Sequence, residues 1–150
     1  MSTNYNKVEH LKLLKKKSLN VNLNSEDSGK LLTYSTMTNG HLDWCIREHY
    51  LDLLENFKKG KIQNFQLCIS FENTGKLTSD ILDILESNLI ILSTSEKSLG
   101  FSDLLEEVFD ICETYLQDAE ADFRDENSEV EFKNSIKEAY LKIQNFLNEE

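Results

Sequence analysis

Residues that favour turns are scarce in this sequence, which contains no proline and only five glycines in 150 residues. A β-rich domain of this length normally needs more of them, so a sandwich or a barrel is disfavoured. Long apolar runs are also missing, since the longest, from Leu77 to Leu92, is too short and too charged to cross a bilayer. The N-terminus has no apolar core followed by a cleavage site and therefore predicts no secretory signal.

Cysteine is sparse as well, and Cys45, Cys68 and Cys112 lie far apart in the chain. An odd number of cysteines without a C-x-x-C pair favours free thiols in a reducing compartment over a disulfide framework. Together with the missing secretory signal and membrane span, this pattern predicts a cytoplasmic protein.

Positive charge is the third shortage, because 16 Lys and Arg face 27 Asp and Glu and the net charge is −11. Such a charge repels phosphate backbones and anionic lipids, which disfavours direct binding to nucleic acid or to a membrane. A basic protein is the favoured partner.

Apolar residues recur at spacings of three and four, which is the period of amphipathic helices. The pattern predicts one helix over His41–Lys58, a shorter one between Gly60 and Gly75, and a third over Leu77–Ser93, which should be the most buried. The glycines after residue 39 are predicted to lie between the helices. A fourth helix is expected from Ser102, and a fifth from Ser128, which opens an S-x-x-E capping box. The predicted fold is therefore all-α, an antiparallel helical bundle of four to five helices.

The first part of the chain differs in composition from the rest. Residues 1–40 carry a net charge of +3 and predict a short basic helix over Asn6–Lys17. Residues 18–40 are rich in Ser, Asn and Thr, which predicts an extended arm or a poorly ordered linker. Alternation from Leu19 to Leu23 allows a strand, although no pairing strand is evident. The expected division is an N-terminal arm, 1–40, and an acidic helical bundle, 41–150.

Negative charge is concentrated in one segment, since twelve acids and a single base, Arg124, lie between Asp103 and Glu131. This segment sums to −11, and the rest of the chain is neutral. On a helix, six of the acids fall within an arc of about 140°, opposite an apolar face. We call these six residues the acidic ridge: Asp103, Glu106, Glu107, Asp110, Glu113 and Asp118.

The acidic ridge has two interpretations. It is a solvated face that keeps the protein soluble, or it is a surface that mimics nucleic-acid phosphate and docks onto a basic protein. Like charges three or four residues apart destabilise a helix by about 0.2–0.5 kcal/mol per pair, and a chain with no use for the ridge would normally intersperse lysines. This cost suggests a use for the ridge, and both interpretations stay open on the sequence alone.

Residues 50–147 resemble the bacterial self-protective colicin-like immunity family, the group that contains the colicin D immunity protein. The resemblance lies in a helix–F-x-x-G-K-I–helix opening, an acidic L-x-x-x-F-D-x-x-x-x-Y helix, an R-D-E turn and a closing amphipathic helix. A proline expected in the turn is missing, and residues 1–40 have no counterpart in the family. The residues that carry the resemblance are Phe57, Gly60, Lys61, Ile62, Leu105, Phe109, Asp110, Tyr115, Arg124, Asp125, Glu126 and Phe132.

The resemblance implies a small helical bundle that fills the basic catalytic cleft of a cognate tRNA-cleaving toxin domain in place of the tRNA. It would put Asp110, Glu113, Asp118 and the Asp122–Glu126 loop near the contact. With the acidic ridge, the predicted partner-binding residues are Asp103, Glu106, Glu107, Asp110, Glu113, Asp118, Glu120, Asp122, Asp125 and Glu126.

Motifs of catalysis are missing, because the chain has no P-loop, G-x-S-x-G, G-x-G-x-x-G or H-E-x-x-H sequence. We therefore predict a binding protein rather than an enzyme, with no cofactor.

His41, Cys45 and His49 would share one helix face and are zinc-ligand types, but they span about 12 Å and would need a further partner. An inward cysteine with two interfacial histidines is the simpler interpretation. The alternative function is a non-catalytic helical scaffold or assembly factor, bound through apolar residues and the arm.

Overall fold

The computed structural model describes residues 4–120 and 125–149, and every regular element in these ranges is a helix. This confirms the all-α prediction. The described residues form six helices, whereas the sequence predicted a bundle of four to five helices and one further short helix in the arm. In chain order they are α1 (Lys7–Ser18), α2 (Ser25–Cys45), α3 (Arg47–Lys58), α4 (Asn64–Ser87), α5 (Glu96–Glu120) and α6 (Glu126–Asn148).

Helix α1 follows the prediction within one residue, and the Asn6 side chain caps it by accepting from the Glu9 N–H. The extended arm or linker predicted for residues 18–40 is wrong from Ser25 onwards, because this segment is helical. Local propensity is low here, but Leu31 and Tyr34 pack against α1 in a small buried cluster. Tertiary packing therefore overrides the weak helix preference of the Ser- and Thr-rich sequence.

The single helix predicted over His41–Lys58 is instead divided at Ile46, between α2 and α3. The Arg47 guanidinium donates to the Trp44 carbonyl at 2.9 Å and lies over the Trp44 ring at 4.1 Å. This side chain supplies a further donor to a carbonyl in the last turn of α2, where the regular pattern of helical hydrogen bonds ends.

Three glycines that were predicted to lie between helices lie inside them instead: Gly40 in α2, Gly75 in α4 and Gly100 in α5. The segments predicted as Gly60–Gly75 and Leu77–Ser93 form one continuous helix, α4, in which a Cβ on Gly75 would lie 3.1 Å from the Phe109 ring. Similarly, a Cβ on Gly100 in α5 would lie 2.6 Å from the Phe146 ring. These glycines allow close helix packing, whereas Gly60, at φ 76°, does form a turn.

Both acidic helices begin earlier than predicted. Helix α5 starts at Glu96 rather than Ser102, and Ser95 and Ser98 cap it reciprocally through their hydroxyls and backbone N–H groups. Helix α6 starts at Glu126, and its N-cap is Asp125 rather than Ser128. The S-x-x-E sequence thus lies within the first turns of α6 and forms no capping box.

The main core forms around α5, which contacts α2, α4 and α6. The largest fully buried side chains of this core are Tyr50, Phe71 and Phe101. The prediction that the Leu77–Ser93 segment is the most buried is wrong, since Leu77 and Ile84 are 56% and 63% exposed. Among the described helices, none has the length and apolar character needed to cross a membrane.

Candidate protein-interaction surface

The acidic ridge lies on the outer face of α5. Its opposite face is apolar, and Leu105, Val108 and Cys112 from that face are buried in the core. Four ridge residues (Asp103, Glu106, Asp110 and Glu113) are exposed, while Glu107 and Asp118 are half-buried. The helix therefore presents six carboxylates to one side because its apolar stripe is anchored on the other.

Most of the ridge charge is not neutralised within the described part of the chain. Glu107 pairs with Lys142 of α6 at 3.3 Å, and the two side chains are 45% and 56% exposed. Glu113 accepts a long hydrogen bond from the Gln117 amide at 3.4 Å. The other four ridge carboxylates have no ion pair within residues 4–120 and 125–149. Exposed pairs such as Glu107–Lys142 contribute little, so the surface stays strongly anionic.

One side of the ridge borders a groove between α5 and α6, which we call the α5–α6 groove. It has a volume of about 320 Å³. Its floor is apolar and its rim combines carboxylates with hydroxyls. The floor is formed by Ile111, Tyr115 and Phe132, the carboxylates are Asp110, Asp118 and Glu131, and the hydroxyls belong to Thr114, Ser128 and Ser135.

Glu129 holds the helices together at the end of this groove. The Tyr115 hydroxyl of α5 lies 2.9 Å from both Glu129 carboxylate oxygens. The Asn64 amide at the start of α4 donates to the same carboxylate at 2.6 Å. The Tyr115 and Phe132 ring centroids lie 4.5 Å apart with the rings tilted by 43°, so the groove floor is held by ring packing as well as by hydrogen bonds. These contacts make the floor a preformed surface.

The predicted acidic loop is placed only in part. Asp122 and Arg124 lie outside the described residues, Glu120 ends α5, and Glu126 is exposed in the first turn of α6. Asp125 accepts from the Ser128 backbone N–H at 2.8 Å, and this hydrogen bond lowers the pKa of its carboxyl. Asp125 therefore caps a helix, in addition to any contact with a partner.

A second groove lies on the other side of the ridge, between α4 and α5. It has a volume of about 520 Å³, and Glu72 and Glu113 flank it. Cys68 and Cys112 line its base, where a hydrogen bond to Cys68 and burial raise the pKa of the Cys112 thiol. A raised pKa keeps the Cys112 thiol protonated, so Cys112 is a poor nucleophile.

The three residues weighed as metal ligands are not brought together. The break at Ile46 places His41 and Cys45 in α2 but His49 in α3, where its Nε2 lies 3.1 Å from the Thr74 hydroxyl. Across the described residues, no group of three or more His, Cys, Asp or Glu side chains could hold a metal ion.

Sequence reasoning missed the α6 side of the α5–α6 groove. The spacing of three, one and three residues places Ser128, Glu131, Phe132 and Ser135 on one helix face, so the sequence did contain a signal for this side of the groove.

Sequence reasoning also missed a buried network in which His10 contacts the Tyr5 hydroxyl at 2.8 Å and Glu86 at 3.0 Å. No sequence signal links His10 to Glu86, because they are 76 residues apart.

The candidate interaction surface is formed by residues of α5 and α6. No protein-family model, curated protein or solved structure matches the chain. The distribution of charge on α5 and the shape of the groove beside it are the features of this chain that indicate a binding surface.

Proposed function

We propose that this protein binds and inhibits a basic protein, with the acidic ridge and the adjoining loop as the contact surface. The observation that carries the proposal is the concentration of charge, since residues 103–131 hold the whole net charge of −11. Unpaired carboxylates on an outer helix face destabilise the free protein, and a cationic partner would relieve that repulsion.

The partner best suited to this surface is the catalytic cleft of a nuclease. A cleft that binds the phosphate backbone of RNA is basic, and a row of carboxylates about one helical turn apart offers a similar line of negative charge. Inhibition would then need no chemistry, because an occupied cleft cannot admit its substrate. The resemblance to colicin-like immunity proteins supports a tRNA-cleaving toxin domain as the target, held by an acidic helical bundle.

Electrostatic steering would govern how the complex forms. Opposite net charges on two proteins accelerate their association, and salt screens this attraction over a Debye length of about 10 Å at 0.1 M. Binding through the acidic ridge should therefore be fast at low salt and much weaker at high salt. This salt dependence separates it from association through apolar surfaces.

The proposal is tested by capture of partners from native lysate at low salt, followed by elution with a salt step. The triple variant Asp110→Lys, Glu113→Lys and Asp118→Lys should fail to capture the basic partner while it keeps its helical circular dichroism. A matched control reverses Asp52, Asp80 and Asp83, which are exposed acids on α3 and α4. This control changes the net charge equally and should still bind.

Equal binding by the two triple variants would contradict the proposal. If both bind weakly, overall charge matters rather than the ridge, and if both bind normally, the ridge is only a solvated face. Loss of binding in the ridge variant alone would support it. A captured nuclease should also regain its activity on RNA when the ridge variant replaces the wild-type chain.

A scaffold or assembly role is the second candidate, and one observation favours it. Leu77, Ile81 and Ile84 follow one face of α4 and are 56%, 37% and 63% exposed. Such an apolar stripe suits a partner bound through hydrophobic contact. Ile84→Asp should then abolish association, whereas salt should barely change it. Deletion of residues 1–40 is a poor test, because α1 and α2 pack in the folded protein.

A further inference from the structure

The α5–α6 groove is small and already shaped. Its volume of about 320 Å³ lies at the lower end of the range for ligand pockets, roughly 300–1,000 Å³. It is therefore suited to one inserted side chain rather than to a whole helix. The contacts of Tyr115 with Glu129 and Phe132 hold its floor in place without a partner.

The lining of this groove selects a cation with an apolar stem. Ile111 and Phe132 offer an apolar floor, while Asp110, Asp118 and Glu131 surround it with negative charge. None of the described residues that line it is basic. A long basic side chain buries its methylene groups on apolar surface and keeps its charged head among the carboxylates. An anionic or purely apolar group would leave the carboxylates unpaired.

Arginine matches the groove better than lysine does. The guanidinium is planar and has five N–H donors, so it can reach carboxylates and hydroxyls on several sides at once. It also stacks on aromatic rings, and Tyr115 and Phe132 supply them. Asp118 lies near the C-terminal end of α5, where the helix dipole adds to the negative potential.

We propose that the α5–α6 groove receives an arginine side chain of the basic partner and acts as the anchor of the contact. This inference rests on the proposed function, since it names the group of the partner that enters the surface. The exposed part of the ridge would steer the partner, and the groove would hold it.

A charge-neutral change tests the groove separately from the ridge. Ser135→Trp should fill the groove, leave the net charge unchanged and weaken capture of the partner at least tenfold. Its control, Ser79→Trp, fills the second groove, between α4 and α5, and should bind normally. Circular dichroism should show that both variants remain folded.

A conservative pair of variants covers the case in which tryptophan disrupts the fold. Glu131→Gln removes one rim carboxylate with little change of shape and should weaken binding about tenfold. Glu138→Gln removes the same charge two turns along α6, from an exposed residue outside the groove, and should have little effect. Equal effects of the two variants would overturn the groove as the anchor.

Titration with a small probe needs no partner. N-acetyl-arginine methylamide should shift the NMR signals of Thr114, Ser128 and Phe132 at millimolar concentration, and Ser135→Trp should abolish these shifts. Equal shifts with N-acetyl-lysine methylamide would overturn the preference for arginine, and no saturable shift would overturn the site. If Ser135→Trp and Glu131→Gln bind the partner normally but the ridge triple variant does not, the groove inference fails and the proposed function stands.

Discussion

Asp43 is a carboxyl group buried between α2 and α3, where the Tyr50 hydroxyl donates to it at 3.1 Å. Burial raises its pKa to about 6, although the Tyr50 hydrogen bond acts in the opposite direction. Because the native state holds this proton to a higher pH than the unfolded chain does, stability should fall as the pH rises from about 4 to 6. The difference between a pKa of about 4 in the unfolded chain and about 6 in the native state corresponds to roughly 3 kcal/mol.

Replacement of this carboxyl by an amide should therefore stabilise the protein at neutral pH. Asp43→Asn keeps an acceptor for Tyr50 but removes the buried charge, so we expect a gain of about 1–3 kcal/mol at pH 7.5 and almost none at pH 4. Urea unfolding of both proteins at the two pH values measures this difference. A variant that is less stable than the wild type at pH 7.5 would mean that the charged carboxylate stabilises the fold.

At the scale of the helices, two glycines show the difference between helix propensity and tertiary packing. A Cβ at Gly29 in α2 would meet no atom within 4 Å, whereas one at Gly100 in α5 would lie 2.6 Å from Phe146 of α6. Alanine improves helix propensity at both positions by up to about 1 kcal/mol. Overpacking at Gly100 costs about 1–3 kcal/mol, which exceeds that gain.

We therefore expect Gly29→Ala to raise the free energy of unfolding by about 0.5–1 kcal/mol and Gly100→Ala to lower it by about 1 kcal/mol. Chemical denaturation of the two variants is the measurement. In a Phe146→Leu background the loss from Gly100→Ala should shrink, because the shorter side chain leaves room for the new methyl group. Equal stabilisation by both alanines would contradict the close packing of α5 on α6.

The whole molecule has one strongly charged side, and this affects its stability in the absence of a partner. Five like-charged pairs at helical spacing lie in α5, each costing about 0.2–0.5 kcal/mol at low salt. They are Asp103–Glu106, Asp103–Glu107, Glu106–Asp110, Glu107–Asp110 and Asp110–Glu113.

Salt should relieve this repulsion. Between 10 and 200 mM NaCl we expect the free energy of unfolding to rise by about 1–2 kcal/mol, because the Debye length falls from about 30 Å to under 10 Å. The variant Glu106→Lys, Glu113→Lys should show a flatter dependence when both proteins are unfolded in urea across that range. A wild-type stability that falls with salt would mean that attractive pairs, such as Glu107–Lys142, outweigh the repulsion.

The sequence predicted the features that depend on neighbouring residues. The shortage of glycine and proline and the period of the apolar residues were enough for the all-α class. The same period located the two faces of α5, so the ridge residues that the structure exposes were identifiable from spacing alone. Cap positions were less predictable, because Ser128 and Asp125 are equally good cap residues and the choice depends on where the preceding chain leaves the helix.

Contacts between distant residues decided the rest. Helix α2 forms because Leu31 and Tyr34 are buried against α1, and α4 is continuous because Gly75 lies against Phe109 instead of in a turn. The groove exists because α6 packs beside α5 and brings Glu131 next to Asp110 and Asp118. Helical period and net charge depend only on the order and the identity of the residues, so the sequence determines them by itself. A groove or a buried carboxylate depends on which helices meet, and only the folded chain determines that.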